Sequence, residues 1–270
     1  MEYIHRDIEE QILFWSKTKP CILITGPQQV GKTCTLLQLK EAARTYVSLA
    51  DMETRYLASE NPTLFFKTQP LPILIDDIQY VPTLLTHIAN IMISSKDSKL
   101  YAPGSIWISG SLTPELTEVI KNLPFFSVLK LSLYPLTQHE LYGYNTSDIQ
   151  LFKLPLNNRV PATLPQLYER IINGSLPKIH SNDTLDRNTF YANYTNTYIE
   201  HIFQTLKLRI EDQKFFYFMR QVALQIGKVG NIHAMAKTIR ISNDTAKRWL
   251  SILEDSGIIF YLDSYSNDDG

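Results

Sequence analysis

Short, unbroken apolar runs alternate with stretches of helical periodicity over the first half of the chain. Cys21-Ile22-Leu23-Ile24-Thr25 is the first such run, and residues 46–49, 72–75, 105–109 and 127–133 repeat the pattern. A run with no polar alternation suits a strand buried on both faces. Around these runs, apolar positions recur at helical spacing in residues 4–15, 32–43, 52–66, 84–93 and 114–122. Strand and helix alternating in this way predict an α/β domain with a mainly parallel sheet. After residue 141 the pattern changes. Residues 142–163 are rich in Asn, Pro, Ser and Thr and read as a linker. Helical periodicity then covers residues 164–173, 187–206, 213–226, 232–238 and 243–255. Gly257 marks a helix stop, and a last strand is expected at 258–262.

Composition narrows the class without naming a chemistry. The 270 residues are 44% hydrophobic and 20% charged, which is ordinary for a globular chain of one or two domains. No apolar run approaches the roughly 18 residues of a membrane span, and the first residues lack the apolar core of a secretory signal. An intracellular, cytoplasmic protein without a membrane partner is expected. Cys21 and Cys34 are too few for a disulfide framework or a cysteine metal site. The six histidines form no i,i+4 pair that would suggest a metal site. The net charge of −1 conceals an asymmetry: residues 206–250 carry nine Lys or Arg against three acids, which leaves −7 for the remainder. A basic segment on an acidic body points either to a second partner or to a solvated face.

Chemistry enters at Gly26-Pro27-Gln28-Gln29-Val30-Gly31-Lys32-Thr33, which fits the phosphate-loop pattern G-x-x-x-x-G-K-[ST] at every fixed position. The glycines let the chain curl so that backbone N–H groups converge on phosphate oxygens. Lys32 can reach the β- and γ-phosphates of ATP, and the Thr33 hydroxyl suits a Mg²⁺ ligand. The loop has its required setting, a buried strand before it and a helix whose positive end faces the anion after it. Cys34 follows on that helix, counted with the ATP-binding segment and expected to be a small buried apolar residue. A second apolar run ends in Asp76-Asp77. Asp76 is the candidate for holding Mg²⁺, and Asp77 the candidate general base for the attacking water. A third run ends in Ser109-Gly110-Ser111, where Ser111 can touch the γ-phosphate or the water attacking it.

With these three elements in place, the chain resembles the prokaryotic AAA-type ATPases whose P-loop core precedes a winged helix and usually a nuclease-like domain. The resemblance also draws on Tyr3-Ile4-x-Arg6, Ser48-Leu49-x-Asp51 with Arg55, Ile78-Gln79-Tyr80-Val81-Pro82, and Pro135-Leu136-Thr137 with Glu140. Asn173-Gly174-Ser175-Leu176-Pro177 and Tyr198-Ile199-Glu200 are similar to the family's lid motifs. It implies an additional-strand sheet with the strand of Ser111 between those of Thr25 and Asp76. The chain departs from the family at Gln28, where Arg is usual, and at Asp77, where Glu is usual. His201-Ile202 replaces a usual Arg-Asp pair, and Pro124-Phe125-Phe126 stands where a Gly-Arg pair is expected. That last change implies that a neighbouring subunit or a partner supplies an arginine.

The reading is therefore an α/β P-loop NTPase domain at 1–141, a linker at 142–163, a helical lid region at 164–230, a winged-helix-like domain at 231–265 and a tail at 266–270. On the second helix of that winged helix, Ala246, Trp249, Leu250 and Leu253 share an inner face, while Asn243, Lys247 and Arg248 lie outward as possible DNA contacts. The expected activity is Mg²⁺-dependent ATP hydrolysis that drives a conformational change. The alternatives are an ATP-operated switch with little hydrolysis and an ATP-responsive DNA-binding regulator.

Overall fold

The computed structural model describes residues 3–94, 102–124, 128–141, 163–181, 184–206 and 212–262. The chain divides into two compact units, Met1–Asn196 and Thr197–Gly270. Among the described residues no helix is long and apolar enough to cross a membrane.

In the first unit the apolar runs become strands: β1 (Cys21–Gly26), β2 (Thr45–Ser48), β3 (Ile73–Asp76), β4 (Ile106–Ser111) and β5 (Leu129–Ser132). They form one sheet in the order β2-β3-β4-β1-β5, and every pairing is parallel. The strand of Ser111 thus lies between those of Thr25 and Asp76, as the resemblance implied. Side-chain alternation divides the core in two. Leu23, Ile73, Ile75, Ile106 and Ile108 pack on one face with Phe65, Leu85, Ile88 and Leu116. Ile22, Ile24, Leu74 and Trp107 pack on the other with Ile12, Leu36, Leu176 and Phe190.

The helices of this unit are α1 (Ile8–Ser16), α2 (Lys32–Leu39), α3 (Met52–Glu60), α4 (Pro62–Thr68), α5 (Thr83–Ser94), α6 (Pro114–Lys121), α7 (Gln138–Leu141), α8 (Leu164–Asn173), α9 (Pro177–His180) and the start of α10 (Arg187–Leu206). The single helix expected over 52–66 is in fact two. Pro62 lacks an N–H and drives Asn61 out of helical geometry (φ −142°, ψ 72°), whose side chain then caps α4 by accepting from the Leu64 N–H at 3.0 Å. The linker expected at 142–163 lies outside the described residues except for Thr163, which caps α8 in a reciprocal capping box with Gln166.

The second unit contains the end of α10 with α11 (Asp212–Ala223), α12 (Ile232–Ile239) and α13 (Asn243–Asp255). Trp249 is its centre, with Phe215 and Phe218 edge-on to it at 5.3 Å each. Ala246, Leu250 and Leu253 are buried beside it, while Asn243, Lys247 and Arg248 are exposed, as the helical spacing requires. A turn of Arg240, Ile241 and Ser242 joins α12 to α13, with Arg240 left-handed at φ 59°. The strand expected at 258–262 is not formed. A strand needs a partner's backbone groups, and among the described residues none pairs there; Phe260 and Leu262 are instead 79% and 85% exposed. The unit is therefore helical, and a wing is absent from its described residues.

Candidate nucleotide site

The parallel sheet brings the ends of β1, β3 and β4 to one edge, and the loop after β1 curls there. An added Cβ at Gly26 would run into the Leu133 carbonyl, so only glycine fits. Gly31 caps α2 at φ 98°, a left-handed conformation that favours glycine, and Gln29 is also left-handed at φ 60°. Left-handed residues at such close spacing turn successive N–H groups toward a common point, the geometry of an anion nest. Pro27 and Val30 are buried, Gln28 half-buried and Gln29 exposed. The Lys32 ammonium donates to the carbonyls of Gly26 at 3.1 Å and Pro27 at 2.7 Å. Burial pushes its pKa down to about 8, against the pull of Asp76 and Asp77. Cys34 corrects the expectation of a buried thiol: it is exposed, because Thr35 and Leu36 take the inward positions of that turn.

The loop is braced from behind by a residue whose role the sequence alone did not reveal. Arg6 is buried and donates to Glu140 Oε1 at 2.9 Å, to the Val30 carbonyl at 2.7 Å and to the Tyr134 carbonyl at 2.7 Å. Glu140 in turn accepts from the N–H groups of Asp7 at 2.9 Å and Thr137 at 2.8 Å. The pair is thus buried with its hydrogen-bonding capacity largely used, the condition under which such a pair is tolerated.

Asp76 is 3% exposed at the end of β3. Its Oδ1 accepts from the Thr33 hydroxyl at 3.0 Å, from the Asp77 N–H at 3.1 Å and from the Ser109 hydroxyl, and its Oδ2 accepts from the Tyr46 hydroxyl at 3.0 Å. Burial, aided by Asp76, pushes the Tyr46 hydroxyl up to about 12, so it stays a donor. Asp77 follows in a left-handed conformation, φ 61° and ψ 42°, which Asp tolerates better than most residues. Its Oδ2 accepts from the Ser48 hydroxyl at 3.2 Å and its Oδ1 from Gln79 Nε2 at 2.9 Å. Ser111 stands level with Gly26 in the register of β4 and β1.

The edge of the sheet thus gathers residues 26–34, Asp76, Asp77 and Ser111, while Asn243, Lys247 and Arg248 belong to the other unit. Thr33 and Asp76 offer oxygen ligands 3.0 Å apart, a donor set that fits a hard cation such as Mg²⁺. The curled loop and Lys32 fit a phosphate chain. Sequence reasoning did not single out Tyr46, Ser48, Ser109 or Gln79 as partners of the acids. Ser109 carried a readable signal, since it lies two residues before Ser111 on the same strand face, and Gln79 lies only two residues from Asp77; Tyr46 and Ser48 depend on register.

Residues 18–142 match the family described as AAA domain, and residues 164–269 match one described as Domain of unknown function (DUF8612). No curated protein matches the chain in sequence. Among solved structures it is similar to a Walker-type ATPase of Pyrococcus abyssi, at 15% identity and TM-score 0.55, over 94% of this chain and 90% of that one. It is also similar to AMPPCP-bound DnaA from Aquifex aeolicus (14% identity, 93% and 87% coverage, TM-score 0.39) and to RuvB of Thermotoga maritima (13%, 94% and 88%, TM-score 0.41). The first of these likenesses bears on the fold. The N-terminal part of the chain is an AAA-type P-loop domain, which implies ATP binding, and a helical region follows it.

Proposed function

We propose that the chain binds Mg²⁺-ATP on residues 26–34 and hydrolyses it, using the free energy for a conformational change. The observation that carries this reading is the convergence of Thr33, Tyr46 and Ser109 on the buried Asp76, beside a curled loop level with Ser111. Thr33 and Asp76 would hold Mg²⁺, which when bound would offset negative charge on the phosphate chain. Lys32 stabilises negative charge on the transferred group, in a setting where burial strengthens electrostatics. Asp77 orients a water and takes its proton as the water oxygen bonds to the γ-phosphorus and the bond to the bridging oxygen breaks. ADP leaves with that electron pair. Ser111 contacts the γ-phosphate or the attacking water. No cation stands in Pro124-Phe125-Phe126, so a second copy or a partner supplies the arginine that speeds the step.

Steady-state phosphate release from Mg²⁺-ATP tests this directly. Lys32→Ala is expected to lower turnover by at least about 100-fold, and Asp77→Ala to lower it similarly with ATP still bound. A wild type that binds Mg²⁺-ATP yet releases no phosphate, even with added partner or at high protein concentration, would replace this reading with an ATP-operated switch.

The second unit supports a further role in duplex DNA binding. Its three-residue turn between α12 and α13, and the exposed Asn243, Lys247 and Arg248, are the features of a helix that enters the major groove. Salt-sensitive duplex binding should weaken in Lys247→Ala/Arg248→Ala, with the salt slope falling by about two. An unchanged slope would make this face a solvated one only.

A further inference from the structure

Asp77 does not stand alone at the edge of the sheet, and what holds it can be read from hydrogen-bond chemistry. The 3₁₀ turn Ile78–Tyr80 places Gln79 two residues beyond Asp77, buried at 9% exposure. Its Oε1 accepts from the Ser111 backbone N–H at 2.9 Å, and its Nε2 donates to Asp77 Oδ1 at 2.9 Å. The orientation of this amide is fixed by its partners. A backbone N–H can only donate, so the oxygen must face Ser111 and the nitrogen must face the carboxylate. Few side chains can accept at one point and donate at the other across this span. Gly110 leaves room for the turn that carries Gln79, since a Cβ there would press on Ile78.

The Asp77 carboxylate is thereby tied to two strands. Ser48, at the end of β2, holds Oδ2 at 3.2 Å, and Gln79 links Oδ1 to the end of β4. Each oxygen keeps acceptor capacity for a water after one such bond. An aspartate has one methylene fewer than a glutamate, so its reach is shorter and must be aimed more closely. The left-handed backbone at Asp77 and the two side-chain bonds supply that aim.

We infer that Gln79 is a positioning residue for hydrolysis: it aligns the Asp77 carboxylate on the attacking water and ties that alignment to the position of Ser111. The inference rests on the hydrolytic reading given above. Misplacing a reacting group by about 1 Å can cost on the order of 100-fold in rate, which sets the scale of the test.

The experiment compares kcat and KM for Mg²⁺-ATP in wild type, Gln79→Met and Gln79→Glu, each alone and combined with Asp77→Asn. Gln79→Met removes both bonds, whereas Gln79→Glu keeps the acceptor for the Ser111 N–H, loses the donor to Asp77 and sets a like charge against it. Both are expected to lower kcat by about 10- to 100-fold and to change KM by less than about twofold. In the Asp77→Asn background either change should cost less than about twofold more, because the group through which Gln79 acts is already lost. Equal losses in the presence and absence of the Asp77 carboxylate would overturn the inference, as would a fall in ATP affinity that accounts for the whole effect. Should Gln79→Met fail to fold by circular dichroism, Gln79→Glu decides, because its volume is nearly unchanged. Wild-type turnover with undiminished kcat in Gln79→Glu defeats the inference alone; absent turnover in wild type defeats the hydrolytic reading and this inference with it.

Discussion

The edge of the sheet and the outer face of α13 both carry charge, but they handle it in opposite ways. Lys32 and Asp76 are buried, and with Asp77 they find their hydrogen-bond partners inside the protein. Lys247 and Arg248 stand exposed over an apolar base of Ala246, Trp249 and Leu250. A buried, fully partnered group cannot reorganise cheaply, so its field is already aimed when a substrate arrives. An exposed charge is free to move and is screened beyond about 8 Å at physiological salt. The first arrangement suits chemistry on one bound molecule; the second suits long-range attraction to an extended polyanion.

Removing the apolar base is the strongest way to break the comparison. Trp249→Ala should destabilise the second unit by about 3–5 kcal/mol, read from urea unfolding by circular dichroism. A cost below about 1 kcal/mol would mean that Phe215 and Phe218 do not depend on it. Next comes the polar edge. Asp76→Asn replaces one acceptor with an NH₂ among four donors and should cost about 1.5–3 kcal/mol in the same measurement, with Mg²⁺ dependence of ATP binding lost.

Titration of Lys32 sharpens the contrast. Its folded pKa of about 8 lies below the ordinary 10.5 because burial disfavours the charge. An anion in the loop favours the protonated form, so ATP affinity should be level below pH 8 and fall about tenfold per unit above it. The stability of the free protein moves the other way. Between about 8 and 10.5 the unfolded chain holds more protons, so the burial penalty of Lys32 is relieved as pH rises. Calorimetric titration from pH 7 to 9.5 checks the first sign, and a flat affinity would place the ammonium away from the phosphates.

Two smaller effects belong to the helical unit. Arg240→Gly should stabilise it by about 0.5–1 kcal/mol, because glycine adopts φ 59° without a Cβ clash. Lys247→Ala/Arg248→Ala should leave stability within about 0.5 kcal/mol, since those side chains are solvated. A larger loss would show that the face is packed and would weaken its reading as a docking surface for DNA.

Much of this was readable in the chain itself where the cause is local. The phosphate loop, the buried strands and the inner face of α13 follow from spacing over a few residues. The break at Asn61 was also readable, since Pro62 dictates it; the apolar periodicity across it obscured the signal. Tyr46 and Ser48 were not legible as partners of the acids because their contacts depend on strand register. Tyr46 meets Asp76 across 30 positions, and Ser48 meets Asp77 across 29. The strand at 258–262 was misread for a related reason: apolar, β-branched composition makes a segment fit for a sheet, but only a neighbouring strand makes it one.

The bracing of the phosphate loop also has a consequence in time. Arg6 is made before the phosphate loop, whereas the carboxylate that accepts from it, on Glu140, is 134 positions later. At about 5–20 residues per second, roughly 7 to 27 seconds of synthesis separate the two. Until then the guanidinium has no anion to meet in the interior, and the Val30 carbonyl has no fixed anchor. A nascent chain that has reached only residue 100 therefore carries the whole phosphate-loop sequence without its finished shape, so ATP would reach the nascent domain as a late ligand rather than a seed for its folding.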